Sequence, residues 1–203
     1  MNAVIVFARY PENGKVKTRL GKTLGDDFAA GLYELMAEHI FKVCRTLPGE
    51  EYDIHLFYDD KDNSPLIKKW TPPDFNLFLQ TGNDLGERMK NAFQSLFNKR
   101  YKKVIIIGTD CPQINVNLLL EAFNKLSQSD LVIGPSNDGG YYLLGMNDFH
   151  PLLFDDIRWS SDEVFRKTEK KAIENELSLS VMPELIDIDT EDDLKNWLSS
   201  FNK

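Results

Sequence analysis

The chain has 203 residues, 42% hydrophobic and 28% charged, with a formal net charge of −8. This length suits one sizeable core, so the expectation is a single domain spanning residues 1–203. The acidic balance argues against a broad nucleic-acid-binding face, and no window approaches the roughly 18 apolar residues of a membrane span. The sequence opens directly on a strand-like run, with no charged leader, and its cysteines, Cys44 and Cys111, are not spaced as a staple. The expected setting is therefore a reducing cytoplasm. His39, His55 and His150 have no zinc-ligand spacing, so a bound cation should be a hard, oxygen-liganded ion such as Mg²⁺ or Mn²⁺.

Ala3–Ala8 (AVIVFA) suits a central strand, and Arg9–Lys22 reads as a loop rich in turn residues. That loop carries Arg9, Lys15, Lys17, Arg19 and Lys22 against a single acid, Glu12, inside an acidic protein. Such a cluster suits phosphate oxygens, the alternative being a solvated surface loop. Gly21-Lys22-Thr23 looks like the end of a P-loop, but the first glycine position is Val16, so that reading fails. From Asp26 or Asp27 a helical period runs through Phe28, Leu32, Leu35, Met36, Ile40, Val43 and Leu47, with Phe28 and Met36 expected in the core. His39 beside this stripe reads as a packing or surface residue.

Asp53–Tyr58 and Phe75–Leu79 are expected strands, with a short helix over Ser64–Trp70 between them. A loop from Gln80 leads into a helix with an apolar face of Leu85, Met89, Ala92, Phe93, Leu96 and Phe97. Arg88 in its first turns is either an anion contact or an exposed ion-pair partner. Val104–Ile107 is a run of four branched apolar residues, read as a strand buried on both faces, and it stops at Gly108-Thr109-Asp110-Cys111-Pro112. An acid at the carboxyl end of a central strand is well placed to hold a cation, which makes Asp110 the leading candidate. A helix over Leu118–Leu126, capped by Asn115 or Asn117, precedes a strand at Leu131–Pro135.

Ser136-Asn137-Asp138-Gly139-Gly140-Tyr141-Tyr142 concentrates glycine and tyrosine around an acid. It reads either as a close-approach ligand turn or as a tight hairpin. Pro151–Phe154 begins a short apolar segment, Arg158–Glu163 opens a helix, and Leu179–Met182 is strand-like. Leu185–Leu194 alternates apolar and acidic residues before a last helix, with Thr190 and Asp193 as a cap box. Strands alternating with helices predict one α/β domain, three-layered, with a mostly parallel central sheet. The basic loop, Asp110, the glycine turn and the late acids all fall at strand ends, where an open sheet brings residues to one crevice.

Gly14-Lys15-Val16-Lys17-Thr18-Arg19-Leu20, Leu85-Gly86-Glu87-Arg88-Met89, Gly108-Thr109-Asp110-Cys111-Pro112, Gly134-Pro135, Asp138-Gly139-Gly140-Tyr141-Tyr142-Leu143, Trp159-Ser160 and Asp187-Ile188-Asp189-Thr190 follow one another along nearly the whole chain. In that order they resemble the "transferase 1" proteins associated with radical-SAM and selenium-related domains. Those proteins are similar to nucleotide-diphospho-sugar transferases of the glycosyltransferase A fold. Two departures, Arg9 where lysine is more frequent and Ser161 where threonine is usual, keep the charge or the hydroxyl.

The resemblance implies a nucleotide-binding fold in which Asp110 holds Mg²⁺ or Mn²⁺, with Asp187 or Asp189 as a second ligand. Arg9, Lys15, Lys17, Arg19 and Arg88 then face the nucleotide phosphates. Asp138, Gly139, Gly140, Tyr141 and Trp159 fall in the acceptor or sugar region. For Asp187 and Asp189 a solvated helix start remains the alternative reading, and for Trp159 simple packing. The expected function is metal-dependent transfer from a nucleotide-diphospho-sugar to a small acceptor, Asp138 orienting or deprotonating the acceptor hydroxyl. The alternatives are a guanylyl- or cytidylyltransferase-like nucleotidyltransferase acting on a small phosphorylated acceptor, and a non-catalytic nucleotide-binding protein. Expected partners are a nucleotide or nucleotide-sugar donor and a small-molecule acceptor, with no nucleic acid.

Overall fold

In Asn2–Ala8 (β1), Val4, Val6 and Ala8 pack into one helical layer while Ala3 and Ile5 pack into the other. A strand covered on both faces has no side on which to place polar residues, hence its unbroken apolar run. The structure, a computed structural model, describes residues 1–59 and 62–200; residues 60–61 and 201–203 of the expected 1–203 domain lie outside it. The further strands are Tyr52–Tyr58 (β2), Asn76–Leu79 (β3), Val104–Ile107 (β4), Leu131–Pro135 (β5), Tyr141–Met146 (β6) and Leu179–Val181 (β7). The helices are Thr18–Leu24 (α1), Asp26–Arg45 (α2), Ser64–Trp70 (α3), Leu85–Asn98 (α4), Val116–Lys125 (α5), Val164–Glu174 (α6) and Glu191–Ser200 (α7), with a 3₁₀ turn at Pro151–Phe154.

These elements form a single α/β domain around one sheet ordered β3-β2-β1-β4-β6-β5-β7. Every strand is parallel to β1 except β6, which is antiparallel to both β4 and β5. Helices α2, α3 and α5 supply Ile40, Ile67 and Leu119 to one layer, and α4 and α6 supply Phe93 and Ala172 to the other. A smaller cluster of Val16, Tyr33, Met36, Ile188 and Leu194 joins α2 and α7 to the loop before α1. From β1 the chain builds β2 and β3 on one side and then returns to lay β4 on the other. That reversal leaves a crevice outside the carboxyl ends of β1 and β4, where an open α/β sheet binds its ligands.

Three expectations change. The basic stretch read as loop contains α1, which starts directly after Lys17 at φ 46°, ψ 44°. Asp138-Gly139-Gly140 is the turn of a β5–β6 hairpin, so the hairpin alternative describes its local geometry, and β6 is a strand the sequence reading did not identify. Phe28 and Leu35, expected on the core stripe of α2, are 49% and 66% exposed. Ala29, Ala30 and Ala37 are buried in their place. Small residues let the helix approach the sheet closely, and seven residues apart Phe28 and Leu35 share the opposite face. Met36 is in the core as expected, and His39 Nε2 lies 3.0 Å from the Ile114 carbonyl, a packing role. Both caps are present: Asn115 Oδ1 accepts from Leu118 N, and the Thr190 hydroxyl donates to Asp193 Oδ2 while accepting from Asp193 N.

Candidate functional site

The site begins with a hydroxyl between two strand ends. Tyr33 Oη, on α2, accepts from Arg9 N at 2.9 Å and from Thr109 Oγ1 at 3.1 Å. It thereby ties the chain leaving β1 to the chain leaving β4, and burial followed by the nearby Asp110 charge pushes its phenol up to about 12. Beyond Thr109, the Asp110 backbone carbonyl accepts from Ile188 N at 3.1 Å. Ile188 is fully buried beside Val16 and Leu194. Alternation along this extended segment turns Asp187 and Asp189 away from that packed side.

Both acids and Asp110 meet at Lys17. Its ammonium Nζ lies 2.7 Å from Asp110 Oδ1, 2.9 Å from Asp189 Oδ1 and 3.3 Å from Asp187 Oδ1, on a side chain only 6% exposed. The Asp110 contact is an ion pair lying outside hydrogen-bond geometry, although Oδ1 is fully occluded. Burial works against the charged ammonium, but Asp110, Asp187 and Asp189 more than reverse this and hold its pKa well above the ordinary range. Burial and then repulsion from Asp110 push the Asp187 carboxyl up to about 7, with Lys17 opposing. Arg19 reaches the other oxygen of Asp189 at 3.4 Å.

The hairpin turn is fastened to this cluster. Asn137 Oδ1 accepts from Asp187 N at 2.8 Å, and its amide donates to Asp193 Oδ1 at 3.2 Å. The buried Ser136 donates its hydroxyl to Asp138 Oδ1 at 2.6 Å, and Gly140 N donates to the same oxygen at 3.0 Å. Asp138 is close enough to add to the repulsion on Asp187. Gly139 has φ 86°, and a Cβ there would lie 2.1 Å from the Asp162 carbonyl oxygen. Only glycine lets the turn sit this close to the segment opening α6.

The predicted site residues divide into two groups. Lys17, Asp110, Asp187 and Asp189 converge, with Arg19 at the margin and Asp138 nearby. Lys17, expected to face phosphate, instead neutralises the acids. Arg9 pairs with Asp59 at 2.8 Å and Lys15 with Glu12 at 2.9 Å. Arg9 and Lys15 line a cavity of about 270 Å³ together with their partners Asp59 and Glu12 and with Tyr10, Val16 and Asn63. Arg19 borders a second cavity, about 370 Å³, with Lys22, Thr23, Thr190, Glu191 and Asp192. Arg88 donates Nε to the Gly82 carbonyl at 3.3 Å.

Tyr141, expected beside the acceptor, packs into the α4–α6 layer with its hydroxyl 3.9 Å from Met89 Sδ. Its position two residues past Gly139 puts it in β6, and the strand carries it into the layer. Trp159 packs against Phe154 and fills the space over Gly86, where a Cβ would meet the indole at 2.0 Å. The sequence reading missed Tyr33, Ser136, Asn137 and Gln113, whose Oε1 accepts from Ile186 N at 2.9 Å. The signal available for Ser136 and Asn137 was their place immediately before Asp138.

Three oxygens around one point make a hard donor set of the kind expected for Mg²⁺ or Mn²⁺. The point is taken by Lys17, however, and among the described residues no group of three acids, histidines or cysteines stands ready to hold a metal ion. As arranged, the site does not fit a resident metal. Cys44 and Cys111 are free and buried, as expected of unpaired cysteines. Among the described residues no helix is long and apolar enough to cross a membrane.

This architecture is that of the nucleotide-diphospho-sugar transferase-like α/β folds. A protein from Desulfovibrio desulfuricans G20, carrying the provisional name nucleotide-diphospho-sugar transferase, is 39% identical, with TM-score 0.93 over 100% of this chain and 89% of its own. The chain belongs to the bacterial family described as "Uncharacterized protein conserved in bacteria (DUF2064)", whose profile matches residues 43–161. More distant structures share the fold alone. CMP:2-keto-3-deoxy-manno-octonic acid synthetase, complexed with CTP, is 9% identical with TM-score 0.61 over 100% of this chain and 99% of its own. Rv0371c of Mycobacterium tuberculosis H37Rv, in a complex with manganese, is 13% identical with TM-score 0.56 over 98% and 100%. No curated protein matches the chain.

Proposed function

We propose that this protein is a transferase using a nucleotide-activated donor, a nucleotide-diphospho-sugar from which a glycosyl group passes to a small acceptor. The observation that carries this reading is the meeting of Lys17, Asp110, Asp187 and Asp189 at the β1–β4 crevice, with Asp138 fastened beside it. The 39% identical D. desulfuricans protein, by its name, supports the same donor class. Arg9 and Lys15, lining the cavity beside the β1 end together with their ion-pair partners Asp59 and Glu12, are the cations that would turn from those acids to a donor diphosphate. Arg88, near the start of α4 and bonded to the Gly82 carbonyl, is the further cation this reading assigns to the donor phosphates. Asp138, with Oδ1 committed to Ser136 and Gly140, presents Oδ2 to the acceptor hydroxyl as general base. Departure of the nucleoside diphosphate then completes the transfer.

A nucleotidyltransferase is the second reading, favoured by the shared fold of the CTP-bound synthetase. There an acceptor phosphate attacks the α-phosphorus of an NTP and pyrophosphate leaves. Product analysis separates the two. Incubation with sugar nucleotides and candidate acceptors is expected to release nucleoside diphosphate. Pyrophosphate release from an NTP, with no nucleoside diphosphate from any sugar nucleotide, would replace the first reading with the second.

A further inference from the structure

The seat that the sequence assigned to Mg²⁺ or Mn²⁺ is filled from within the chain. Lys17 Nζ stands 2.7, 2.9 and 3.3 Å from Asp110 Oδ1, Asp189 Oδ1 and Asp187 Oδ1. These are the distances of an ammonium among carboxylates, whereas magnesium would need the same oxygens at roughly 2.0–2.1 Å. The ring of acids is therefore sized for the lysine. Its side chain is 6% exposed, and withdrawing it would leave three converging carboxylates without the ammonium that neutralises them.

The frame around Lys17 is packed as well. Val16 beside it, and Ile188 between the two late acids, are buried in one cluster, and the Asp110 carbonyl accepts from Ile188 N at 3.1 Å. Lys17 also starts α1, its carbonyl accepting from Gly21 N at 2.9 Å. Its left-handed φ of 46° is one that a non-glycine residue keeps only where its surroundings fix it. Arg9 and Lys15 are placed differently. They pair with Asp59 and Glu12 through side chains that are 59% and 62% exposed, which leaves them room to turn.

We propose that Lys17 is the resident cation of this site, standing where a divalent ion was expected, and that the donor diphosphate binds without a metal, on Arg9 and Lys15. This rests on the donor reading above and adds to it how the phosphates are neutralised. Lys17 stays in its ring and holds Asp110, Asp187 and Asp189 together, while the two exposed cations turn from their acids to the phosphate oxygens. Burial divides the work: the enclosed ammonium has its partners already, and the solvated side chains are the ones able to change theirs.

The test is calorimetric binding of ADP, GDP, CDP, UDP and dTDP to the wild-type protein, in EDTA and again in Mg²⁺. A nucleotide that shares no seat with the ion binds independently of it, so its affinity is expected to differ by less than about fivefold between the two conditions. A larger loss in EDTA overturns the proposal and leaves the donor reading standing. Binding of no nucleotide in either condition overturns the donor reading, and this inference with it. Mn²⁺ alone is a probe that needs no nucleotide. Its free fraction, read by electron paramagnetic resonance, is expected to be the same over wild type and Asp110→Asn, and a saturable Mn²⁺ site that the substitution removes overturns the proposal. Acetic anhydride labelling of wild type, read site by site by peptide mass spectrometry, separates the two lysines. On nucleotide binding the labelling of Lys15 is expected to fall severalfold, with Lys17 low throughout. Lys15 unchanged, or Lys17 rising, overturns the division of work between them.

Discussion

Lys17 and His55 are both basic side chains buried against the same sheet, and the protein treats them in opposite ways. Lys17, at the carboxyl ends of β1 and β4, is surrounded by three carboxylates and kept charged. His55, in the middle of β2, is 2% exposed, with the rings of Phe78 and Tyr101 at 5.6 and 5.2 Å and, among the described residues, no hydrogen-bond partner on either nitrogen. Burial pushes its pKa down to about 4, with Asp53 pulling up and Lys99 pushing further down. A buried charge is tolerable only when paired, so an unpaired group gives up its charge. On the proposed reading the charged region carries the chemistry, and the neutral one is packing.

The largest expected contrast is in turnover. Asp110→Ala should cost about 10²–10³ in kcat, the range for removing one preorganised electrostatic group from a site. His55→Phe, in a more deeply buried but uncharged place, should leave kcat within about twofold. Steady-state rates on whichever donor the product assay identifies check this, and a His55→Phe loss as large as that of Asp110→Ala would break the comparison.

The next contrast is in the pH dependence of stability. With the folded pKa of His55 depressed to about 4, the unfolded chain binds the proton first as pH falls below about 6.5. His55 therefore contributes stability that is present above pH 6.5 and lost toward pH 4, about 3 kcal/mol at about 1.4 kcal/mol per unit. Asp187 has the opposite sign. Its folded pKa is raised to about 7, so the folded state holds the extra proton and stability falls as pH rises from about 4 through 7. The two slopes oppose, and wild type should vary little over pH 4–7 in urea titrations. His55→Phe should expose the falling slope, and Asp187→Asn the rising one.

The smallest contrast makes one edit in both places. Tyr33→Phe removes the hydroxyl that accepts from Arg9 N and Thr109, leaving two donors unpaired, and should cost about 1–3 kcal/mol along with part of the turnover. Tyr101→Phe removes only the bond to Asp53 Oδ2 at 2.6 Å, at the surface end of the His55 pocket. It should cost about 1 kcal/mol and leave turnover unchanged. Thermal melts and rates on the two variants decide whether the strand-end hydroxyl belongs to the site or only to the core.

Much of the fold was legible because its signals are local. The Val104–Ile107 run, the Asn115 cap and the Thr190–Asp193 box each act within a few residues, and all stand where they were read. β6 was obscured because its glycine-rich approach carries two signals at once, a hairpin turn and a ligand turn; the structure uses the first and bonds the turn to Asp187 N. Tyr141 followed from that misreading. Phe28 and Leu35 misled because spacing counts large apolar residues, whereas the close approach of α2 to the sheet favours its alanines.

Sequence alone determined the α/β alternation, the acid at the end of the central strand, the basic stretch after β1 and the capped acids before α7. All of these depend on backbone preference, periodicity and charge over short spans. Tertiary structure decided what those charges do. Lys17 is 170 and 172 residues from two of its partners, and it meets them only because Val16 and Ile188 pack into the same small cluster. Hydrophobic packing sets that encounter, and the low-dielectric surroundings it creates then require the charges to pair. A lysine that reads along the chain as a phosphate contact thus becomes the cation within a ring of acids.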